Sequence, residues 1–134
     1  MPNLEFKSQS PKPEEFKALL LSVGWGEPEQ YDLSELQTSL DGMTKIYTVY
    51  NNAELVATAR ILSDNSSTTQ IIDVIVKTNY QRQGIGKKLV KEIMQDYAHT
   101  AIYTDALIEN KDFFESCGLH NKNEKLIVFS KAPE

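Results

Sequence analysis

The stretch Ile71-Ile72-Asp73-Val74-Ile75-Val76-Lys77-Thr78-Asn79-Tyr80-Gln81-Arg82-Gln83-Gly84-Ile85-Gly86-Lys87 decides the fold. Its first six residues are apolar except Asp73, which suits an interior strand covered on both faces. Gly84-Ile85-Gly86 then permits a sharp turn. Beyond it Leu89, Val90, Ile93, Met94 and Tyr97 mark one helical stripe, with Lys87, Lys88, Lys91, Glu92 and Gln95 opposite. A strand, a glycine turn and an amphipathic helix in succession place unpaired first-turn amides, at the positive helix pole, where a ligand can approach the backbone. That is an anion cradle suited to phosphate. From Lys77 to Lys91 the chain carries five cations (Lys77, Arg82, Lys87, Lys88, Lys91) and no acid, and these add charge-assisted contacts to the same pole.

Two other phosphate loops are excluded by spacing. Nothing matches Gly-x-x-x-x-Gly-Lys-Ser/Thr, and the third glycine of a dinucleotide fingerprint would fall on Leu89.

Working outward, Leu4 to Lys7 reads as a short strand and Pro13 to Val23 as a helix, with Phe16, Leu19, Leu20 and Val23 at helical spacing and Gly24 ending it. Asp32 and Glu35 form a capping signature for a second helix carrying Leu33, Leu36 and Leu40. Met43 to Tyr50, Glu54 to Leu62 and Thr69 to Lys77 are three strands joined by Asn51-Asn52 and by Asp64-Asn65-Ser66-Ser67. After the helix come a strand over Ala101 to Leu107, a short helix over Asn110 to Cys117 ended by Gly118, and a last strand over Lys125 to Ser130. The order β-α-α-β-β-β-α-β-α-β predicts a mixed α/β sheet with helices on both faces. No linker divides the 134 residues, so a single domain over 1–134 is expected.

The net charge of −5 argues against a general nucleic-acid binder. Cys117 is the one cysteine, which precludes an intramolecular disulfide and suits a reducing compartment. The N-terminal residues Met1 to Lys7 show no apolar signal core, and the cytoplasm is the expected location.

Gln81-Arg82-Gln83-Gly84-Ile85-Gly86 resembles the Gln/Arg-x-x-Gly-x-Gly/Ala motif of the GCN5-related N-acetyltransferase (GNAT) superfamily. The wider run from Ile72 to Lys87 is similar to the glucosamine-6-phosphate and plant serotonin branches, and Glu54 to Arg60 with Ser63-Asp64 to the serotonin branch. Asn110 to Leu119 resembles that family's Asn-x-x-x-x-x-Phe-Tyr-x-x-x-Gly-Phe signature. The likeness spans about residues 43 to 130. It implies the acyl-CoA N-acyltransferase fold, with the strands Thr69–Lys77 and Ala101–Leu107 splayed to admit a thioester. It further implies acetyl-CoA as co-substrate: backbone of Val74, Ile75 and Val76 along the pantetheine, Gln81, Arg82, Gln83, Gly84, Ile85, Gly86 and Lys87 around the pyrophosphate, and Asn110, Phe113 and Phe114 lining the CoA pocket.

Acetyl transfer to an amine requires a deprotonated amine, a stabilised oxyanion and a proton for the thiolate. Asp73 is the first candidate base, because a carboxylate within a buried strand is costly unless paired or used. The alternative is a bracing pair with Arg60. Asp105 is a second candidate base. Phe114 stands where the family signature has tyrosine as proton donor, and a phenyl ring donates nothing. Tyr103 is the substitute candidate, set against simple core packing. His99 and His120 lie in connections and make no metal site; no metal is expected. Trp25, Tyr31 and the acids of Gly24 to Tyr31 suit a small cationic amine, although Trp25 equally reads as a core anchor; Arg60 could grip an acceptor carboxylate. The reading is an N-acetyltransferase for a small-molecule amine. The alternatives are a protein amine as acceptor and a CoA-binding module without catalysis. From the resemblance, a homodimer is a further expectation.

Overall fold

The computed structural model describes residues 3–134, so Met1 and Pro2 of the N-terminal reading lie outside the described residues. The chain divides into two compact units, one running to Thr104 and the other Asp105–Glu134.

In the first unit β1 (Leu4–Lys7), α1 (Pro13–Ser22), α2 (Leu33–Asp41), β2 (Lys45–Asn51), β3 (Glu54–Ser63), β4 (Thr68–Val76), α3 (Ile85–Asp96) and β5 (Ala101–Thr104) follow one another. The strands lie side by side in the order β1-β2-β3-β4-β5. The first three junctions are antiparallel and β4–β5 is parallel. Chain chemistry explains the difference. Asn52 and Asn65 adopt positive φ (56° and 62°) in the tight connections flanking β3, a conformation asparagine tolerates. A parallel neighbour needs a long crossover, and α3 supplies it.

The predicted cap at Asp32 forms, and α1 has one that the sequence did not single out. Asp32 accepts from the Glu35 N–H at 3.1 Å at the start of α2. At α1 Pro13 takes the first helical position, and Glu15 Oε1 accepts from the Lys12 N–H at 2.9 Å.

Strand alternation sends side chains to two layers. Ile46, Tyr50, Leu55 and Ile75 join Phe16, Leu19, Leu20 and Leu40 in the core beneath α1 and α2. Tyr47 points the other way, its hydroxyl donating to Asp96 of α3 at 2.7 Å. On α3 the stripe Leu89, Val90 and Ile93 is fully buried, each side chain contributing about 1.5–3 kcal/mol of transfer free energy. Helices thus cover both sheet faces, as the order of elements implied.

The second unit contains a 3-10 turn at Ile108–Asn110 and α4 (Lys111–Ser116), after which Gly118 turns the chain with φ 101°. Cys117, directly after α4, is buried. Here two expectations are corrected. The strand from Ala101 stops at Thr104 rather than Leu107. Lys125 to Ser130 form no strand at all: Ile127, Val128 and Phe129 are 75%, 69% and 86% exposed. Strand composition expresses a fit to a pleated, paired surface, and without a ladder partner it builds nothing.

Candidate active site

The sheet of the first unit is broken between β4 and its two neighbours. Register between β3 and β4 jumps from Ile61↔Ile71 to Arg60↔Asp73, leaving Ile72 as a bulge. A bulge bends its strand and shifts the phase of its backbone groups. β5 follows β4 only through Ile71↔Thr104, where the Thr104 hydroxyl donates to the Ile71 carbonyl at 3.0 Å. Past that point β4 keeps β3 as its neighbour and loses β5.

The direction of the freed groups follows from one bond. Lys77 N–H donates across to Val56 C=O on the β3 side at 2.8 Å. Backbone groups alternate sides along a strand, so Ile75 and Asp73 also face β3, while Val74 and Val76 face the gap. The Val76 carbonyl there accepts from the Gln81 side-chain amide at 2.8 Å. The Val74 N–H and C=O and the Val76 N–H have no hydrogen-bond partner among the described residues. Part of an extended ligand can add to such an edge as a strand would.

Immediately downstream lies the glycine turn. The Gln81 N–H is bonded to Thr78 C=O at 3.2 Å, which, with its side chain on Val76, removes Gln81 from the cradle and makes it the strut between cradle and gap. The next six amides, Arg82 through Lys87, have no acceptor among the described residues; the helical ladder begins with Lys88 N–H to Gly84 C=O at 3.0 Å. Arg82 (φ 62°) and Gly84 (φ 86°) are left-handed. Left-handed residues alternating with right-handed ones fold consecutive N–H groups around one concavity, here at the N-terminus of the twelve-residue α3. A Cβ built on Gly84 meets nothing within 4 Å, so the space beside this turn residue is open. This is what a diphosphate requires.

The cations divide. Lys77 pairs with Glu54, and the Lys88 ammonium sits 3.8 Å from the Phe6 ring centroid. Arg82, Lys87 and Lys91 are exposed and in no ion pair among the described residues. A network from the β2–β3 hairpin holds the approach to the turn: Asn51 donates to the Tyr80 hydroxyl at 2.7 Å, and that hydroxyl donates to Glu54 at 3.3 Å. No pattern in the sequence signals this anchor, because its partners are remote along the chain.

Under α1 and α2, Asp73 is engaged by Arg60. Nε reaches both carboxylate oxygens at 3.1 Å, Nη2 reaches Oδ2 at 2.7 Å, and Nη1 donates to Ser39 of α2 at 2.9 Å. The guanidinium also lies 5.1 Å from the Phe16 ring centroid. The bracing arrangement foreseen as the alternative for Asp73 is therefore present. Ser39, which the sequence did not single out, completes it.

Tyr103 pairs with Gln70, and Gln70 with Leu62. Directly opposed residues share a face, and Leu62 lies two residues from Arg60 on β3, so this row flanks the Arg60–Asp73 pair. Tyr103 is 46% exposed, and its hydroxyl has no partner among the described residues, which leaves it available to a ligand. Trp25 is partly exposed, and its carbonyl accepts from the Tyr31 hydroxyl. Lys17 donates to the Tyr31 carbonyl at 3.1 Å. The connection between α1 and α2 is thus held as a closed loop with the indole at its surface.

Asp105, Asn110, Phe113 and Phe114 belong to the second unit. Asn110 is exposed at the start of α4, and the two phenyl rings pack edge to face with centroids 5.0 Å apart. His99 contacts the Asn65 carbonyl at 3.0 Å, a loop contact remote in kind from catalysis.

Comparison with known proteins agrees with this geometry. A glucosamine 6-phosphate N-acetyltransferase of Arabidopsis thaliana is 36% identical over 56 residues, 40% of this chain and 38% of that protein. The chloroplastic GCN5-related N-acetyltransferase 3 of the same plant is 35% identical over 89 residues, 63% of this chain. The match likewise takes in 38% of that protein's length, so this chain spans about two fifths of these two relatives. Among solved structures, a GNAT-family acetyltransferase of Streptococcus pneumoniae TIGR4 superposes with a TM-score of 0.78 at 25% identity, covering 97% of this chain and 98% of that one. The profile of the acetyltransferase (GNAT) family matches residues 10–120. With its broken sheet and its row of unpaired amides at the head of α3, the chain belongs to the acetyltransferase (GNAT) family.

Proposed function

We propose that the protein transfers the acetyl group of acetyl-CoA to the primary amine of a small molecule, by direct attack while both are bound. The observation that carries this reading is the run of six partnerless amides from Arg82 to Lys87, continuous through Gln81 with the unpaired Val74–Val76 edge. A diphosphate fits the first and an amide-containing pantetheine arm fits the second. The bound co-substrate supplies an activated acyl group; the protein supplies position and polarisation. The Val74 N–H, turned into the gap, is the donor available to a developing oxyanion.

Arg60, Asp73 and Ser39 act together in this reading: the pair fixes β3 to β4 beside the gap, and Ser39 ties α2 to it. The carboxylate is fully engaged, so the amine reaches its reactive form by losing its proton to solvent. Tyr103, with its hydroxyl unpartnered, is the group that replaces the absent tyrosine at Phe114 as proton donor to the thiolate. Trp25 and Tyr31 form one wall of the acceptor site. The resemblance to the glucosamine 6-phosphate enzyme supports a small amine as acceptor. The single cysteine supports a cytoplasmic setting.

One observation favours a second reading, in which the protein binds CoA without turnover: Phe114 stands where a proton donor is usual. Release of free thiol from acetyl-CoA, measured across amino acids, arylalkylamines, polyamines, amino sugars and lysine peptides, separates the two. Acceptor-dependent release with a small amine supports the transferase. Release with peptides alone reassigns the acceptor. Tight acetyl-CoA binding without release for any amine supports the binding module.

A further inference from the structure

The tip of the β2–β3 hairpin reaches the segment that joins β4 to the glycine turn. Asn51 and Glu54 face each other across the tip, with Asn52 (φ 56°) in the turn between them. One Glu54 oxygen accepts from the Lys77 ammonium and the other from the Tyr80 hydroxyl at 3.3 Å, and Asn51 donates to that hydroxyl at 2.7 Å. Lys77 caps a 3-10 turn and Tyr80 ends it, the Tyr80 N–H donating to the Lys77 carbonyl at 2.8 Å. One carboxylate therefore grips both ends of that turn. Only Gln81 separates Tyr80 from the first open amide, that of Arg82, and Gln81 is itself fixed by its N–H on Thr78 and its side chain on Val76. The Gln83 side chain bonds back to the Asn79 carbonyl at 3.3 Å. Tyr80 is buried, so its hydroxyl sits on a rigid arm.

We propose that Glu54 and Tyr80 are positioning residues for the diphosphate: their bridge fixes the direction of the Arg82–Lys87 amides, and neither side chain touches the ligand. The proposal rests on the reading of those amides as a diphosphate cradle. Hydrogen bonds weaken steeply as a donor turns away from its acceptor, so a small rotation of the turn degrades several contacts together. Order imposed in advance also removes part of the cost of binding. The sign of the effect separates this role from charge. Glu54→Ala deletes a negative charge and releases the Lys77 ammonium, and Coulomb attraction alone would then tighten the binding of a diphosphate. Loss of the bridge weakens it. The Glu54–Lys77 pair is partly exposed, and pairs of this kind contribute little to stability, so the fold survives its removal.

Calorimetric titration of the full chain with acetyl-CoA, beside amide NMR titration with S-acetylpantetheine, which lacks the diphosphate, tests the role. Glu54→Ala and Tyr80→Phe are each expected to weaken acetyl-CoA binding about fivefold, as the loss of one modest hydrogen bond implies. Tyr80→Phe removes a single oxygen and keeps the packed ring. Affinity for S-acetylpantetheine, read at the Val74 and Val76 amides, is expected to stay unchanged. The double variant is expected to lose no more than the larger single loss, because both changes act through one bridge. Glu54→Gln, which keeps an acceptor for the phenol, is expected to bind acetyl-CoA near the parent's affinity. Unchanged or tighter acetyl-CoA binding by Glu54→Ala or Tyr80→Phe overturns the proposal. So do equal losses for the two ligands, which would mark a general loosening of the fold, and so do additive losses in the double variant. A parent chain that binds both ligands equally well overturns the diphosphate reading itself, which is a separate failure.

Discussion

Gly84 and Gly24 form a matched pair through which the cradle can be tested. Both are left-handed, with φ of 86° and 78°, and a Cβ built on either meets nothing within 4 Å. Alanine at each position therefore incurs the same backbone strain, about 1–2 kcal/mol for a left-handed L-residue, and no clash. For a chain of this length 1 kcal/mol corresponds to about 4 °C in melting temperature, so both variants should melt about 4–8 °C below the parent. Their ligand affinities should differ. Gly84 lies within the run Arg82–Lys87, and its left-handed backbone sets the direction of the amides on either side of it, whereas Gly24 lies between α1 and α2. Losing one charge-assisted hydrogen bond to a phosphate costs about 1.5–3 kcal/mol, so Gly84→Ala should weaken acetyl-CoA binding roughly 10-fold to 100-fold, and Gly24→Ala not at all. Calorimetric titration with acetyl-CoA alongside thermal melts reads both quantities. Equal affinities for the two variants, despite equal destabilisation, would refute the assignment of these amides to the ligand.

Asp73→Asn should remove charge compensation from Arg60, whose side chain is 15% exposed, and lower stability by about 2 kcal/mol in urea unfolding. Substantial turnover should survive near pH 8; abolished turnover with unchanged stability would instead identify Asp73 as the base. Tyr103→Phe should lower kcat while leaving KM for acetyl-CoA unchanged, and an unaltered kcat would withdraw the phenol as proton donor. Arg82→Ala and Lys87→Ala should each weaken acetyl-CoA binding about fivefold at low salt, converging on the parent as salt screens the exposed charges. The pH dependence of stability should show a phenol. Burial, and then the hydrogen bond to Glu15, push Tyr50 up from the ordinary value near 10 to about 12. Its folded value lies above its unfolded value, so its contribution is fully present below pH 10 and is lost as the pH rises toward 12. Tyr50→Phe should flatten the fall in unfolding free energy across that window, and an unchanged slope would contradict the assignment.

Much of this arrangement was legible in the chain because its signals are local. The strand–turn–helix through Gly84 and Gly86, the Asp32 cap and the α3 stripe each depend on neighbours within a few positions, where periodicity and turn chemistry act directly. What escaped depends on partners brought together by the sheet. The phase shift at Ile72 arises from register against β3, and it decides that Val74 and Val76, rather than Ile75, face the gap. Gln81 belongs to the recognised motif, yet only its tertiary bond to Val76 shows it as a strut. Arg60 and Asp73 could be paired on paper, but Ser39 joins them from a separate helix. Lys125–Ser130 shows the opposite failure: the local pattern is that of a strand, but no ladder forms there among the described residues.

Backbone amide NMR with two ligands tests the central claim most directly. Acetyl-CoA and S-acetylpantetheine share the acyl arm but differ in the diphosphate and nucleotide. Acetyl-CoA should shift the Arg82–Lys87 amides as well as those of Val74 and Val76, whereas S-acetylpantetheine should shift only the latter and bind far more weakly. Shifts of Arg82–Lys87 that are the same with both ligands, or absent with acetyl-CoA at saturation, would contradict the account.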